Sequence, residues 1–149
     1  MAGFTNRGKY RTLEATFRGG DTFYVALVTS ADTPGPDTNT LGDLTQIATG
    51  NGYADGGYEL TGNGTDFDTL TEDDSNDRGL IQIKDVVWTA SGGAIPASGD
   101  GARYAVLTDD NATVANREVL AYWDLSSDRS VSSGDTLTLQ DLELRINES

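Results

Sequence analysis

Carboxylates are the chemistry this sequence offers most freely. Of its 149 residues, 24 are Asp or Glu. Asp66, Asp68, Glu72, Asp73, Asp74 and Asp77 crowd into the stretch from Thr61 to Gly79. Such a cluster suits a hard cation such as calcium, which takes several oxygen ligands. Asp73, Ser75 and Asp77 have the alternate spacing of an EF-hand loop, which also needs Gly at its sixth position and Glu at its twelfth. Counted from Asp73, Gly79 stands seventh and the twelfth residue is Lys84, so an EF-hand is excluded. An irregular calcium site built from Asp66, Asp68, Asp73 and Asp77 is the one metal candidate, set against a plain solvated loop.

Other chemistries find no footing. Glycoside hydrolysis needs two carboxylates at a defined separation, and nothing in the spacing selects two of the 24. The chain has no His and no Cys, which removes imidazole bases, thiolates, disulfides and the common zinc and haem ligands. A serine nucleophile would need a lysine base, and neither Lys9 nor Lys84 stands in a Ser-x-x-Lys context. No Gly-x-Gly-x-x-Gly or Gly-Lys-Thr phosphate loop occurs. Trp88 and Trp123 could form a carbohydrate platform, but their strand-like surroundings favour core packing. The expectation is a protein that is not an enzyme, with no catalytic residues and no cofactor.

Charge bears on partners. The net charge is -14, yet residues 1–20 carry Arg7, Lys9, Arg11 and Arg18 against Glu14 alone, a balance of +3 that leaves -17 on the rest. An acidic body repels nucleic-acid phosphates. A basic N-terminal segment suits an acidic neighbour, a second copy of the chain included. No run approaches the roughly 20 apolar residues of a membrane span, and Met1-Ala-Gly-Phe-Thr lacks the apolar stretch of a secretory leader. Neither nucleic acid nor membrane is therefore an expected partner, and assembly in the cytoplasm is.

The elements that must position these residues are mostly strands. Tyr10, Leu13 and Phe17 share one side of a short helix that starts near Thr5 or Asn6 and is stopped by Gly19-Gly20. Phe23 to Thr29 reads as a core strand and Leu44 to Ile47 as a short edge strand. The segment 61–79 reads as a long polar loop. Leu80 to Trp88 reads as one strand with a bulge. Tyr104 to Thr108 is continuously apolar, as a central strand covered on both sides should be. Val119 to Leu125 alternates, with turns expected at 109–112 and 126–129. Residues 135–140 and 141–147 alternate too, and form either a tight hairpin or one strand bent at Asp141. The expected fold is all-β, an antiparallel, jelly-roll-like β-sandwich (21–149) preceded by a basic helical arm (1–20). Asn51 to Tyr58 is dense in turn formers, so Tyr53 and Tyr58 either make a contact loop or fold back to plug the sandwich.

In order along the chain come Phe23-Tyr-Val-Ala-Leu-Val-Thr29, Gly52-Tyr53-Ala54, and Val131-Ser-Ser-Gly-Asp-Thr-Leu137. Their collinearity resembles a family of small tailed-phage virion structural proteins, often labelled tail-fibre-like, that share "YVALFT", "GGYAR" and "V-x-x-GDTL" stretches. This chain departs from that pattern at Asp55, where the family has Arg, and in its acidic insertion from Asp66 to Asp77. The resemblance implies a bacteriophage virion component without enzymatic activity. On this reading the protein is a capsid decoration (cement) protein bound to other virion proteins, chiefly the major capsid protein, and a homo-oligomer of trimeric order. Arg7, Lys9, Arg11 and Arg18 would attach it electrostatically, with Tyr10, Leu13 and Phe17 as the apolar part. The alternative is a tail-fibre or tail-tip module that touches the host surface through Tyr53, Tyr58 and the acidic loop.

Overall fold

In the computed structural model, which describes residues 2–147, a helix α1 (Asn6–Phe17) precedes nine strands. These are β1 (Thr22–Val28), β2 (Tyr58–Thr61), β3 (Thr69–Asp73), β4 (Arg78–Ile83), β5 (Val86–Thr89), β6 (Ala102–Thr108), β7 (Val119–Arg129), β8 (Thr136–Leu139) and β9 (Leu142–Asn147). They form sheets ordered β2-β1-β6-β7, β3-β4-β9 and β5-β8, an all-β fold with a short N-terminal helix. Packing divides the described chain into two compact units, residues 2–21 with 61–86 and 139–147, and residues 22–60 with 87–138.

In the unit of 22–60 and 87–138, β1 and β6 pair antiparallel with Ala26 opposite Val106 and Leu27 opposite Ala105. Val25, Ala26, Leu27 and Val28 are all fully buried, as are Ala105, Val106 and Leu107, so both faces of the pair are covered, as an unbroken apolar run implies. On one face Ala26, Val28, Tyr104 and Val106 pack with Leu41 and Leu44. β7 follows β6 with the expected alternation, its even-numbered side chains outward and Val119, Ala121, Trp123 and Leu125 half-buried.

The expected turn at 126–129 is instead strand. Ser126 takes a positive φ of 70° and its N–H bonds the Asp124 carboxylate, while the pairing with β6 shifts register before it resumes at Arg129 opposite Ala102. That is a bulge, and Ser and Asp read as turn formers because a bulge uses the same local hydrogen bonds. The expected edge strand at 44–47 shrinks to one bridge, Val28 with Gln46, flanked by Thr29 N–H to Thr45 O and Ile47 N–H to Leu27 O.

In the unit of 2–21, 61–86 and 139–147, Thr5 caps α1 by accepting from the Gly8 N–H at 3.0 Å. The helix ends where Gly20 takes a φ of 98°. Leu13 and Phe17 are buried, and Phe17 stacks on Phe67 with centroids 5.4 Å apart. A Cβ on Gly79 would lie 2.9 Å from the Lys9 carbonyl carbon, so the missing side chain is what lets β4 approach the helix backbone.

The segment 61–79 is not one loop. Thr69, Leu70 and Thr71 seed β3, which returns antiparallel on β4 with Asp73 opposite Arg78, and β4 pairs in turn with β9. Residues 80–88 are not one strand either. The chain breaks at Lys84-Asp85, so Ile81 and Ile83 are buried in one strand, Val86 and Trp88 in the next, and Val87 is exposed. β8 and β9 do not form a hairpin. β8 pairs with β5 and β9 with β4, and Asp141 makes the corner with a φ of 56°, a conformation that Asp tolerates better than most residues.

Candidate functional site

The acidic cluster serves the hairpin of β3 and β4. Asp73 accepts from Arg78 Nε at 2.7 Å and from Asn76 Nδ2 at 2.9 Å, and these bonds, the Asn76 amide foremost, hold its carboxyl below the usual range. Asp77 turns the chain with a φ of 51°. Asp66 meets Lys84 Nζ at 2.7 Å and accepts the Thr61 N–H at 2.7 Å. Burial pushes the Asp66 carboxyl up, but the Lys84 ammonium and the Thr61 N–H outweigh it and leave it low. The calcium set Asp66, Asp68, Asp73 and Asp77 is therefore not assembled. Asp66 and Asp73 hold different protein donors, Asp68 is exposed, and among the described residues no group of three or more His, Cys, Asp or Glu is arranged to hold a metal ion.

The basic segment finds its acidic neighbour in this same unit. Arg7 pairs with Glu72 at 2.6 Å, Asn6 Nδ2 donates to Asp74 at 3.1 Å, and Lys9 donates to Asp77 O at 2.5 Å and to Asn6 Oδ1 at 3.1 Å. Lys9 is only 2% exposed, its stem filling space between helix and hairpin. Arg18 grips the Phe67 carbonyl with Nε at 3.0 Å and Nη2 at 2.6 Å. Of the seven expected attachment residues, Lys9, Leu13, Phe17 and Arg18 thus point into the fold. Arg7, Tyr10 and Arg11 form the outer face of α1. The Arg7 guanidinium lies 5.0 Å from the Tyr10 ring centre and that of Arg11 5.9 Å, with Arg7 and Arg11 side chains 60% and 67% exposed.

Tyr53 folds back into the interior, and Tyr58 is half-buried at the start of β2. Tyr53 is 2% exposed. Its hydroxyl accepts the Leu27 N–H at 2.9 Å and lies 3.1 Å from Gln46 Oε1, occupying the place where a neighbouring strand would have offered a carbonyl to β1. Both rings pack on Trp88, Tyr53 at 5.9 Å tilted and Tyr58 at 6.1 Å edge-on. Burial pushes the Tyr53 hydroxyl above its ordinary pKa. Tyr53→Phe should cost about 1–3 kcal/mol, because it strands a buried N–H. The expected reading is a lower urea midpoint at unchanged m-value.

Three features were not singled out by sequence reasoning. Phe4 is 66% exposed beside the helix start. Leu120 and Tyr122 are exposed on β7 and line, with Gly35, Pro36 and Thr38, a groove of about 280 Å³. Arg117 is 92% buried, its guanidinium 3.8 Å from the Tyr24 ring centre and its Nε bonded to Asn111 O. The outward positions of Leu120 and Tyr122 were legible in the alternation of β7, whereas no local pattern marks Arg117. In a second groove, Asp43 accepts from the N–H groups of Asn39 and Thr40, which lowers its pKa, the Thr40 bond first.

The stretches behind the family resemblance fall on β1, on the turn that holds buried Tyr53, and on the entry to β8, where Ser132 to Thr136 are exposed and Leu137 is buried. The chain matches no protein-family model, no curated protein and no solved structure.

Proposed function

We propose that this is a non-enzymatic bacteriophage virion structural protein, a capsid decoration (cement) protein whose work is done by binding energy. The observation that carries the reading is the outer face of α1, where Tyr10 lies under two exposed guanidinium groups on an otherwise acidic chain. Tyr and Arg are the residues that most often anchor protein interfaces, and an acidic shell surface is the complementary partner. The collinear motifs support the same class of protein. A bound cement protein stabilises a shell by mass action, since it binds the assembled state and not the dissociated one. The tail-tip reading has less to stand on, because Tyr53 is interior and Tyr58 packs on Trp88.

The test is the double variant Arg7→Glu/Arg11→Glu. Each arginine makes one surface ion pair, with Glu72 or Glu14, and such pairs contribute at most about 1 kcal/mol, so the fold should survive. Co-sedimentation with undecorated phage particles is expected to weaken by about tenfold or more, equal to about 1.4 kcal/mol. Unchanged binding would reject α1 as the attachment face. Block of phage adsorption by the purified wild-type protein, without particle binding, would replace the cement reading with the tail-tip one.

A further inference from the structure

The sequence holds two Asn-Gly pairs, Asn51-Gly52 and Asn63-Gly64. Asn-Gly is the pair most open to spontaneous loss of the side-chain amide, because glycine puts no Cβ in the way of the attacking nitrogen. Locally the two pairs are equivalent, and the fold makes them unlike. We propose that Asn63 is a site of spontaneous deamidation and isoaspartate formation, with water as the only co-reactant, and that Asn51 is protected.

At Asn63 the leaving amide nitrogen donates no bond among the described residues, and the side-chain carbonyl is already polarised. The residue is exposed, and its Oδ1 accepts the N–H groups of Thr65 at 3.0 Å and Asp66 at 2.9 Å. Those two donors are placed to stabilise the oxyanion that forms when Cγ is attacked, as any pair of fixed amide donors would. The Gly64 N–H donates to no acceptor among the described residues, so the nucleophile leaves no bond behind. The Gly64 nitrogen bonds to Asn63 Cγ, the Cγ–Nδ2 bond breaks, and the side-chain nitrogen leaves as ammonia after taking up the amide proton. Water then opens the succinimide ring at either carbonyl, which leaves aspartate or isoaspartate at position 63. The sum is one water consumed and one ammonia released.

At Asn51 the same chemistry is held off. The leaving Nδ2 donates to Ala94 O at 2.9 Å, and Asn51 O accepts the Ser91 N–H at 2.9 Å. The turn is closed by two bonds between Gly50 and Tyr53, at 2.8 and 3.1 Å. Gly52 lies so close to Thr89 that a Cβ there would come within 2.3 Å of its carbonyl oxygen. The backbone rotation that would bring the Gly52 nitrogen to Asn51 Cγ has no room.

Isoaspartate at position 63 would reroute the main chain through the former side chain. It would break the Phe67 N–H to Asn63 O bond of 3.0 Å and add a negative charge beside Asp66. The residue that loses this bond is Phe67, which is stacked on Phe17 and whose carbonyl is held by Arg18, so the lesion strikes where α1 is fastened.

The experiment incubates the purified full chain in mildly alkaline buffer, cleaves it before aspartate, and reads peptides 43–54 and 55–65 by mass spectrometry. The first contains Asn51 and the second Asn63. The expected result is a gain of one mass unit in 55–65 from isoaspartate, which is not cut, together with new peptides 55–62 and 63–65 from aspartate, while 43–54 stays intact. Gly64→Ala should slow the change several-fold without harming the fold, since its Cβ would meet only the Arg18 guanidinium, at 3.8 Å. A urea-unfolded sample should convert both sites. Conversion of Asn51 as fast as Asn63 in the folded chain would overturn the proposal, and so would an Asn63 rate that Gly64→Ala leaves unchanged.

Discussion

Gly57→Ala is expected to be the most damaging small substitution in this protein, lowering stability by about 4 kcal/mol or more. Gly57 stands at a φ of 87° just before β2. An added Cβ would sit 2.0 Å from Val25 O and 2.7 Å from Ala26 Cα, which are backbone atoms and cannot swing aside. β1 cannot retreat, because Val25 to Val28 are fully buried and paired to β6. Positive φ alone accounts for only about 1–2 kcal/mol of the effect. Gly134→Ala is the control, for Gly134 has a φ of 92° and nothing within 4 Å of the added carbon. Urea unfolding of the two variants separates steric from conformational cost, and equal losses would show that the contact with β1 is not what the glycine protects.

Phe67→Ala should cost about 3–5 kcal/mol, the range for an aromatic side chain removed from a core. Phe67 is fully buried and stacked on Phe17, and its carbonyl takes two bonds from Arg18. The ring therefore joins the C-terminal end of α1 to the segment that leads into β3. A Phe17/Phe67 double-mutant cycle should return a coupling of about 0.5–1.5 kcal/mol beyond the burial of each ring. Native-state hydrogen exchange should show α1 amides losing protection. Unchanged exchange in α1 would mean that Phe67 does not fasten the helix.

Much of the fold was legible because strand and helix periodicities are written locally. The i, i+3, i+7 pattern of Tyr10, Leu13 and Phe17 located α1, though the face that is buried is Lys9, Leu13 and Phe17 and Tyr10 is only half-buried beside it. Thr5 and Gly20 bound the helix as cap and stop residues do. The apolar runs of β1 and β6 announced strands covered on both faces, and the alternation of 119–125 announced one with an outward face. The misreadings share one cause. Asp, Asn and Ser make the same local hydrogen bonds in a turn, a bulge and an irregular loop, so the bulge at Ser126 was read as a turn and the hairpin around Asp73 to Asp77 as part of a long loop. The break at Lys84-Asp85 was hidden because the apolar residues on either side of it belong to different sheets.

The site was less legible than the fold. Composition alone removed the chemistries of His and Cys and set the charge of each segment. It could not say which acid each cation meets, because Arg7 and its partner Glu72 are 65 residues apart and only the folded backbone brings α1 to the hairpin. Nor could it choose between an exposed and an interior Tyr53, since that depends on an N–H of β1 that no other strand satisfies. Periodicity is a property of neighbouring residues and survives in the sequence, whereas hydrogen-bond and ion-pair partners are chosen by whatever the chain closure places within reach. That is why the four basic residues near the start were visible from the outset, and why only the tertiary structure separated Lys9 and Arg18, which hold the fold together, from Arg7 and Arg11, which face outward.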